Sequence, residues 1–387
     1  MSLSVTIGRG GVYMGFLGRI ARMGEVLLGA GLAAGALGVW AIAPRGKTVR
    51  KKQRASDVPG VYFAHRGLHD SGSGIESDWS QATRDEREYL SVSRQLAVGN
   101  IESADPGTNS DAVTQDLATV QSGSQPASLT PENSLPAFAA ACQMGYGIEL
   151  DLHLSRDGQV VVIHDDDLKR VAGDGRKVSD LTYAELQQIP LSSVHGSNTG
   201  GEAINHGPVS TAGRRARHAR RSPETAFVHV PLLSDVLRLV DGRVPLIVEY
   251  KMGRVLDRQL MESADILLAA YKGPYVIESF NPLVLAWYRR YRPSVCRGQL
   301  AVSFHGRISS SEQLCQAMAS SLLFNWLGRP DFVAYEWHSG SSVPMKLFRA
   351  LGGIPVAWTV RSRQAECEAA AMFDHFIFEG YLPSASQ

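Results

Sequence analysis

The stretch Gly147-Ile148-Glu149-Leu150-Asp151-Leu152-His153-Leu154 carries two acids inside an apolar run. A strand turns every second side chain to the same face, so Glu149 and Asp151 point together, with His153 on their side. Ser155-Arg156-Asp157-Gly158 follows as a turn signal, and the next apolar run ends in Ile163-His164-Asp165. Folded back as an antiparallel hairpin, this return brings His164 roughly opposite Glu149. Two carboxylates and an imidazole on one patch suit a cation with an acid/base group beside it.

The device recurs in Pro245-Leu246-Ile247-Val248-Glu249-Tyr250-Lys251, a second apolar run that ends in two like-facing charges. Charges at the end of a buried strand are costly unless they are paired or hold a ligand. Glu149, Asp151 and Glu249 form an all-oxygen donor set. Such a set favours a divalent magnesium or calcium ion and lacks the Cys and clustered His of structural zinc. Arg66, in Ala64-His65-Arg66-Gly67, and Lys251 bring the positive charge that a phosphate requires.

Working outward, extended and helical patterns alternate to the C-terminus. The hairpin return aside, strands are predicted at 61–64, 147–152, 245–250, 274–279, 297–302, 331–336, 355–360 and 375–379. Helices are predicted at 232–240, 257–271, 282–291, 311–326, 343–351 and 363–373. This repeat predicts an α/β fold, a closed (β/α)8 TIM barrel. Chemistry in such barrels sits at the carboxyl ends of the strands, where His65, Glu149, Asp151, Glu249 and Lys251 all fall. Thr130-Pro131-Glu132-Asn133 reads as the start of a helix to about Met144, with Thr130 as its cap. Glu132 and Asn133 are read as capping residues, the other option being support for His65. Leu322-Leu323-Phe324-Asn325-Trp326-Leu327 reads as part of a buried barrel helix in preference to a membrane contact.

The 387 residues, 44% hydrophobic and 20% charged, are ordinary globular material, and a net charge of +1 gives no footprint for nucleic acid. Cys142, Cys296, Cys315 and Cys367 form no CxxC and read as buried free thiols in a reducing compartment. The N-terminus is different. Val26 to Ala43 is apolar and as a helix reaches about 27 Å, enough for a bilayer core. More Lys and Arg follow it than precede it, which predicts a single pass through the cell membrane with the catalytic part in the cytoplasm. A cleaved signal ending at Ala41-Ile42-Ala43 is the competitor, disfavoured by Pro44. The expected organisation is an N-terminal segment 1–25, a transmembrane helix 26–43, a basic linker 44–58 and a barrel 59–383. Polar insertions interrupt the barrel at about 68–129, after the first strand, and at about 192–229. The basic run Arg214 to Arg221 in the second reads as a solvated loop in preference to a lipid-headgroup contact.

Taken together, several pieces resemble the glycerophosphodiester phosphodiesterase family. They are Ala64-His65-Arg66-Gly67, Pro131-Glu132-Asn133-Ser134, Glu149-Leu150-Asp151, Asp157-Gly158, His164-Asp165, Glu249-Tyr250-Lys251, Ser279-Phe280 and Ala357-Trp358-Thr359-Val360, in family order across roughly 61–380. The resemblance implies metal-dependent hydrolysis of glycerophosphodiesters to glycerol 3-phosphate and an alcohol, in lipid metabolism. It implies Glu149, Asp151 and Glu249 as metal ligands, His65 and His164 as the acid/base pair, and Arg66 and Lys251 as phosphate contacts. Trp358 is expected to line the substrate pocket, with barrel packing as its alternative. A lysophospholipid substrate, as for a lysophospholipase D, and a non-catalytic membrane-tethered binding protein are the rival readings. Three departures from the family pattern stand out: the long insertion after Gly67, the expanded stretch 192–229, and Glu379 at the end of the last strand where many relatives carry aspartate.

Overall fold

The computed structural model describes residues 35–52, 57–69, 130–191, 228–253, 255–304, 306–307 and 309–383. Nine strands form one sheet: β1 (Tyr62–His65), β2 (Gly147–Leu154), β3 (Val160–Val162), β4 (Leu246–Tyr250), β5 (Tyr275–Ser279), β6 (Arg297–Ala301), β7 (Phe332–Glu336), β8 (Ile354–Val360) and β9 (His375–Phe378). Eight are parallel in the order β1-β9-β8-β7-β6-β5-β4-β2, and β1 pairs with β2 to close the ring. The ninth, β3, returns antiparallel along β2. Each of the eight expected strands is present within two residues of its predicted ends.

Alternation along each strand explains the closure. In β4, Leu246, Val248 and Tyr250 pack outward with the helices, while Ile247 faces into the barrel with Phe63, Val276, Phe332 and Val356. Large and small residues alternate in that interior. A Cβ on Gly298 would meet the Phe332 ring at 2.0 Å, so the glycine is what makes room for the phenylalanine. Above this apolar layer, at the carboxyl ends of the strands, the inward positions become charged.

The outer elements differ from expectation in instructive ways. The helix predicted from Thr130 begins only at Leu135, capped by Ser134, whose Oγ accepts from the Ala137 amide. Asn133 has φ +50°, which no helix accommodates, and its side chain is committed elsewhere. The helix predicted over 311–326 stops at Ser320. Leu322 turns left-handed at φ +59°, and a short helix Asn325–Gly328 follows. No residue of Ser311–Ser320 is buried, whereas in the stretch expected to be a buried helix Leu322 and Asn325 are buried and Trp326 is exposed.

Within the expected linker 44–58, Lys47–Lys52 is helical and Arg45 is buried. The predicted span 26–43 lies partly outside the described residues, and its described part, residues 35–42, is helical. Among the described residues no helix is long and apolar enough to cross a membrane. Almost all of both polar insertions, including the basic run at 214–221, also lies outside the described residues.

Candidate metal centre and active site

Strand register assembles the acids. Asp151 pairs with Glu249 across β2 and β4, and His65 pairs with Glu149 across β1 and β2. One carboxylate oxygen from each of Glu149, Asp151 and Glu249 lies within 4.8 Å of the other two, and all three residues are buried. Lys251 Nζ reaches Asp151 Oδ1 at 3.0 Å and Glu249 Oε2 at 2.7 Å. Arg66 donates its amide to Glu149 Oε2 at 3.0 Å and holds its Nε 3.5 Å from Asp151 Oδ2.

The charge balance shows that this donor set fits a divalent cation. Burial, followed by the charges of Asp151 and Glu249, pushes the Glu149 carboxyl well above the ordinary range. Burial likewise raises Glu249 to about 7, against the pull of Lys251. Burial also opposes ionisation of Asp151, but Lys251 and Arg66 outweigh it and hold that acid low. Three clustered acids with two cations cannot all ionise cheaply, and a divalent ion among them supplies the missing charge.

A fourth acid was missed in the sequence. Glu278 of β5 is the register partner of Glu249, is 1% exposed, and its Oε2 has no hydrogen-bond partner among the described residues. Burial and the neighbouring Glu249 push it well up as well. Its signal was present, because Glu278 ends an apolar run as Glu249 does.

Both histidines are held by a carboxylate on Nδ1. Glu379 Oε2 lies 3.0 Å from His65 Nδ1, which leaves Nε2 toward the triad, 3.9 Å from Glu149 Oε2. Burial and the adjacent Arg66 outweigh Glu379 and lower His65 to about 4, so its imidazole is neutral near pH 7. The Glu379 departure noted in the sequence therefore bears directly on His65. Asp165 Oδ1 lies 2.5 Å from His164 Nδ1. His164 does not stand opposite Glu149 in the ladder as expected. The hairpin register pairs Leu152 with Val162, its last rung runs from the Ile163 amide to the Asp151 carbonyl, and His164 lies beyond it. His153 Nε2 sits 3.1 Å from the His164 carbonyl oxygen and braces that turn.

A network of ion pairs ties the two sides together. Arg170 donates to Asp165 Oδ2 at 2.7 Å and to both oxygens of Glu132 at 2.6 Å. Arg66 donates to Glu132 Oε1 at 2.8 Å. Asn133 Nδ2 donates to Asp151 Oδ2 at 2.8 Å. The capping role expected for Glu132 and Asn133 is thus corrected. Both residues orient the charged groups of the site, and they act on Arg66 and Asp151, not on His65. The turn that allows this is tight. Arg66 has φ +56°, and Gly67 at φ +81° runs so close to Ala137 that a Cβ would approach its backbone to 2.9 Å. Trp358 packs partly buried against the apolar layer inside the barrel and edge-on to Phe280 at 5.7 Å, its Nε1 unpartnered among the described residues.

Fold and site together define a (β/α)8 barrel with a buried all-oxygen acidic triad that could hold a metal ion, and with the His65 imidazole 3.9 Å from it. The chain belongs to the glycerophosphoryl diester phosphodiesterase family, whose sequence pattern residues 122–375 match. It is 28% identical over 174 residues to a glycerophosphodiester phosphodiesterase of Caldanaerobacter subterraneus, covering 44% of this chain and 61% of that protein. It is 48% identical over 56 residues to a human lysophospholipase D, covering 14% of this chain and 18% of that protein. Among solved structures, an Oleispira antarctica phosphodiesterase in complex with sn-glycerol-3-phosphate superposes over 64% of this chain and 87% of that one, at 19% identity and TM-score 0.47. The chain spans less than two thirds of the length of the first curated relatives it matches, 65% and 61%.

Proposed function

We propose that this protein hydrolyses glycerophosphodiesters to glycerol 3-phosphate and an alcohol, with a magnesium or calcium ion held by Glu149, Asp151 and Glu249. The observation that carries the reading is the convergence of those buried carboxylates within 4.8 Å beside the His65 imidazole. When bound, the ion supplies Lewis acidity toward the phosphate. Lys251 and Arg66 hold and neutralise the phosphoryl oxygens. His65, neutral and fixed by Glu379, accepts a proton at Nε2 from the attacking oxygen. His164, backed by Asp165, returns one to the leaving oxygen. Trp358 and Phe280 wall the mouth against which the substrate's organic part lies.

The test is release of glycerol 3-phosphate from glycerophosphocholine by the full chain. Release is expected to need magnesium or calcium, to stop with chelator and to resume on metal addition. Binding without release would favour a tethered binding protein instead. The reading extends to a role in lipid metabolism and to a protein held at the cell membrane with its catalytic part in the cytoplasm; residues 40–43 of the apolar run are docked on the barrel, so insertion falls to the residues before them. Those proposals rest on the apolar run at 26–43 and the lysines and arginines after it. Lysophospholipid is the second candidate substrate, favoured by the local likeness to a lysophospholipase D.

A further inference from the structure

The end of the barrel opposite the candidate active site carries its own pattern. The described N-terminal segment docks there. Arg45 is buried against Asp331, with Nε 2.7 Å from Oδ1, and it also donates to the Pro293 carbonyl. Asp331 immediately precedes β7, and Pro293 lies shortly before β6. Arg329 reaches the Trp40 and Ala43 carbonyls at 2.6 and 3.0 Å, capping the end of helix 35–42. Its guanidinium lies 4.6 Å over the Trp40 ring, and Trp40 stacks on Trp326 at 6.0 Å. Residues 40–45 are therefore clamped to the amino ends of β6 and β7.

The outer side of this clamp is apolar and basic. Leu37 is 66% exposed, Trp40 53% and Trp326 42%. Arg289 and Arg329 stand beside the two tryptophans, and Lys47 lies against Gly352 on the same end of the barrel. The acids Asp57, Asp241 and Asp374 precede β1, β4 and β9, three, three and two strands away from β7. Exposed tryptophans with arginines around them are the composition of a bilayer interface, where the ring sits at headgroup depth and the cation meets lipid phosphate.

We propose that this end of the barrel rests on an anionic lipid bilayer through Leu37, Trp40, Trp326, Arg289 and Arg329, so that the catalytic mouth points into the water and takes soluble, deacylated diesters. The proposal rests on the catalytic reading above and chooses between its two substrates. All eight parallel strands run from the docked end to the site, which sets the mouth about 15 Å above the docked face. The phosphate of a lysophospholipid seated in the same bilayer lies at headgroup level and does not reach it.

The test uses the full chain with phosphatidylglycerol-containing vesicles whose acyl chains are brominated. Tryptophan fluorescence is expected to be quenched, and the Trp40→Phe/Trp326→Phe variant to lose most of that response while hydrolysing glycerophosphocholine at the unaltered rate. Glycerophosphocholine is expected to be cleaved equally with and without vesicles. Lysophosphatidylcholine placed in the host vesicles is expected to be cleaved no faster than the same lipid offered as monomer. Faster cleavage of the embedded lipid, or hydrolysis without quenching, overturns the orientation. Quenching without hydrolysis of either substrate instead overturns the catalytic reading and with it the choice of substrate.

Discussion

Glu379 sets which nitrogen of His65 faces the reaction, because its carboxylate occupies Nδ1 and leaves Nε2 toward Glu149. Glu379→Gln keeps the shape but not the charge or the tautomer preference, so kcat is expected to fall on the order of 10²–10⁴-fold with KM little changed. Steady-state kinetics on glycerophosphocholine checks this, and an unaltered kcat would remove Glu379 from the reaction. His65→Ala and His164→Ala are each expected to lower turnover by ~10²–10⁴-fold with binding largely kept. Asp151→Asn is expected to abolish the rise in melting temperature that magnesium or calcium gives the native protein, a readout independent of catalysis. The clustering of Glu149, Asp151 and Glu249 was legible in the sequence, since two-residue spacing in an apolar run already states which side chains share a face; the position of His164 was not, because the hairpin ladder ends at Ile163. Glu379 and Glu132 were not, because their partners His65 and Arg66 lie 314 and 66 residues away along the chain.

At the scale of the element, the segment 130–134 is a bracket between two parts of the site. Burial opposes ionisation of Glu132, but hydrogen bonds from Arg170 and the charges of Arg66 and Arg170 overcome it and lower its pKa from 4.5 to about 2. A depressed folded pKa means that Glu132 contributes stability above the ordinary carboxylate range and loses it as the pH falls from 4.5 toward 2. Glu132→Gln is therefore expected to lower stability at neutral pH and to flatten the acid limb. Urea midpoints measured between those pH values test it, and an unchanged acid limb would refute the network. The sequence misled here for a physical reason. Thr-Pro-Glu-Asn has the composition of a helix start, yet Asn133 gains more by turning left-handed and bonding Asp151 than by joining the helix. In 311–326 the local pattern suits a helix throughout, and burial of Leu322 at 1% exposure breaks it.

Across the whole molecule, Arg45 joins the N-terminal segment to the barrel. Removing one partner of a buried ion pair leaves the other uncompensated, so Arg45→Ala is expected to cost ~3–5 kcal/mol, read by urea unfolding. A loss within error would show that the clamp is dispensable. What the sequence determined by itself is the count of strands, their order along the chain, and the acids and histidines at their ends. These follow from periodicities of two and about four residues, which are local. Tertiary structure alone decided that Glu132 binds both Arg66 and Arg170, that Glu379 meets His65, that Glu278 lies beside Glu249, and that Arg45 is buried. Those contacts exist only once the ring closes and brings distant strand ends within a few ångströms; the strand–helix repeat predicts the ring but not which side chains it brings together.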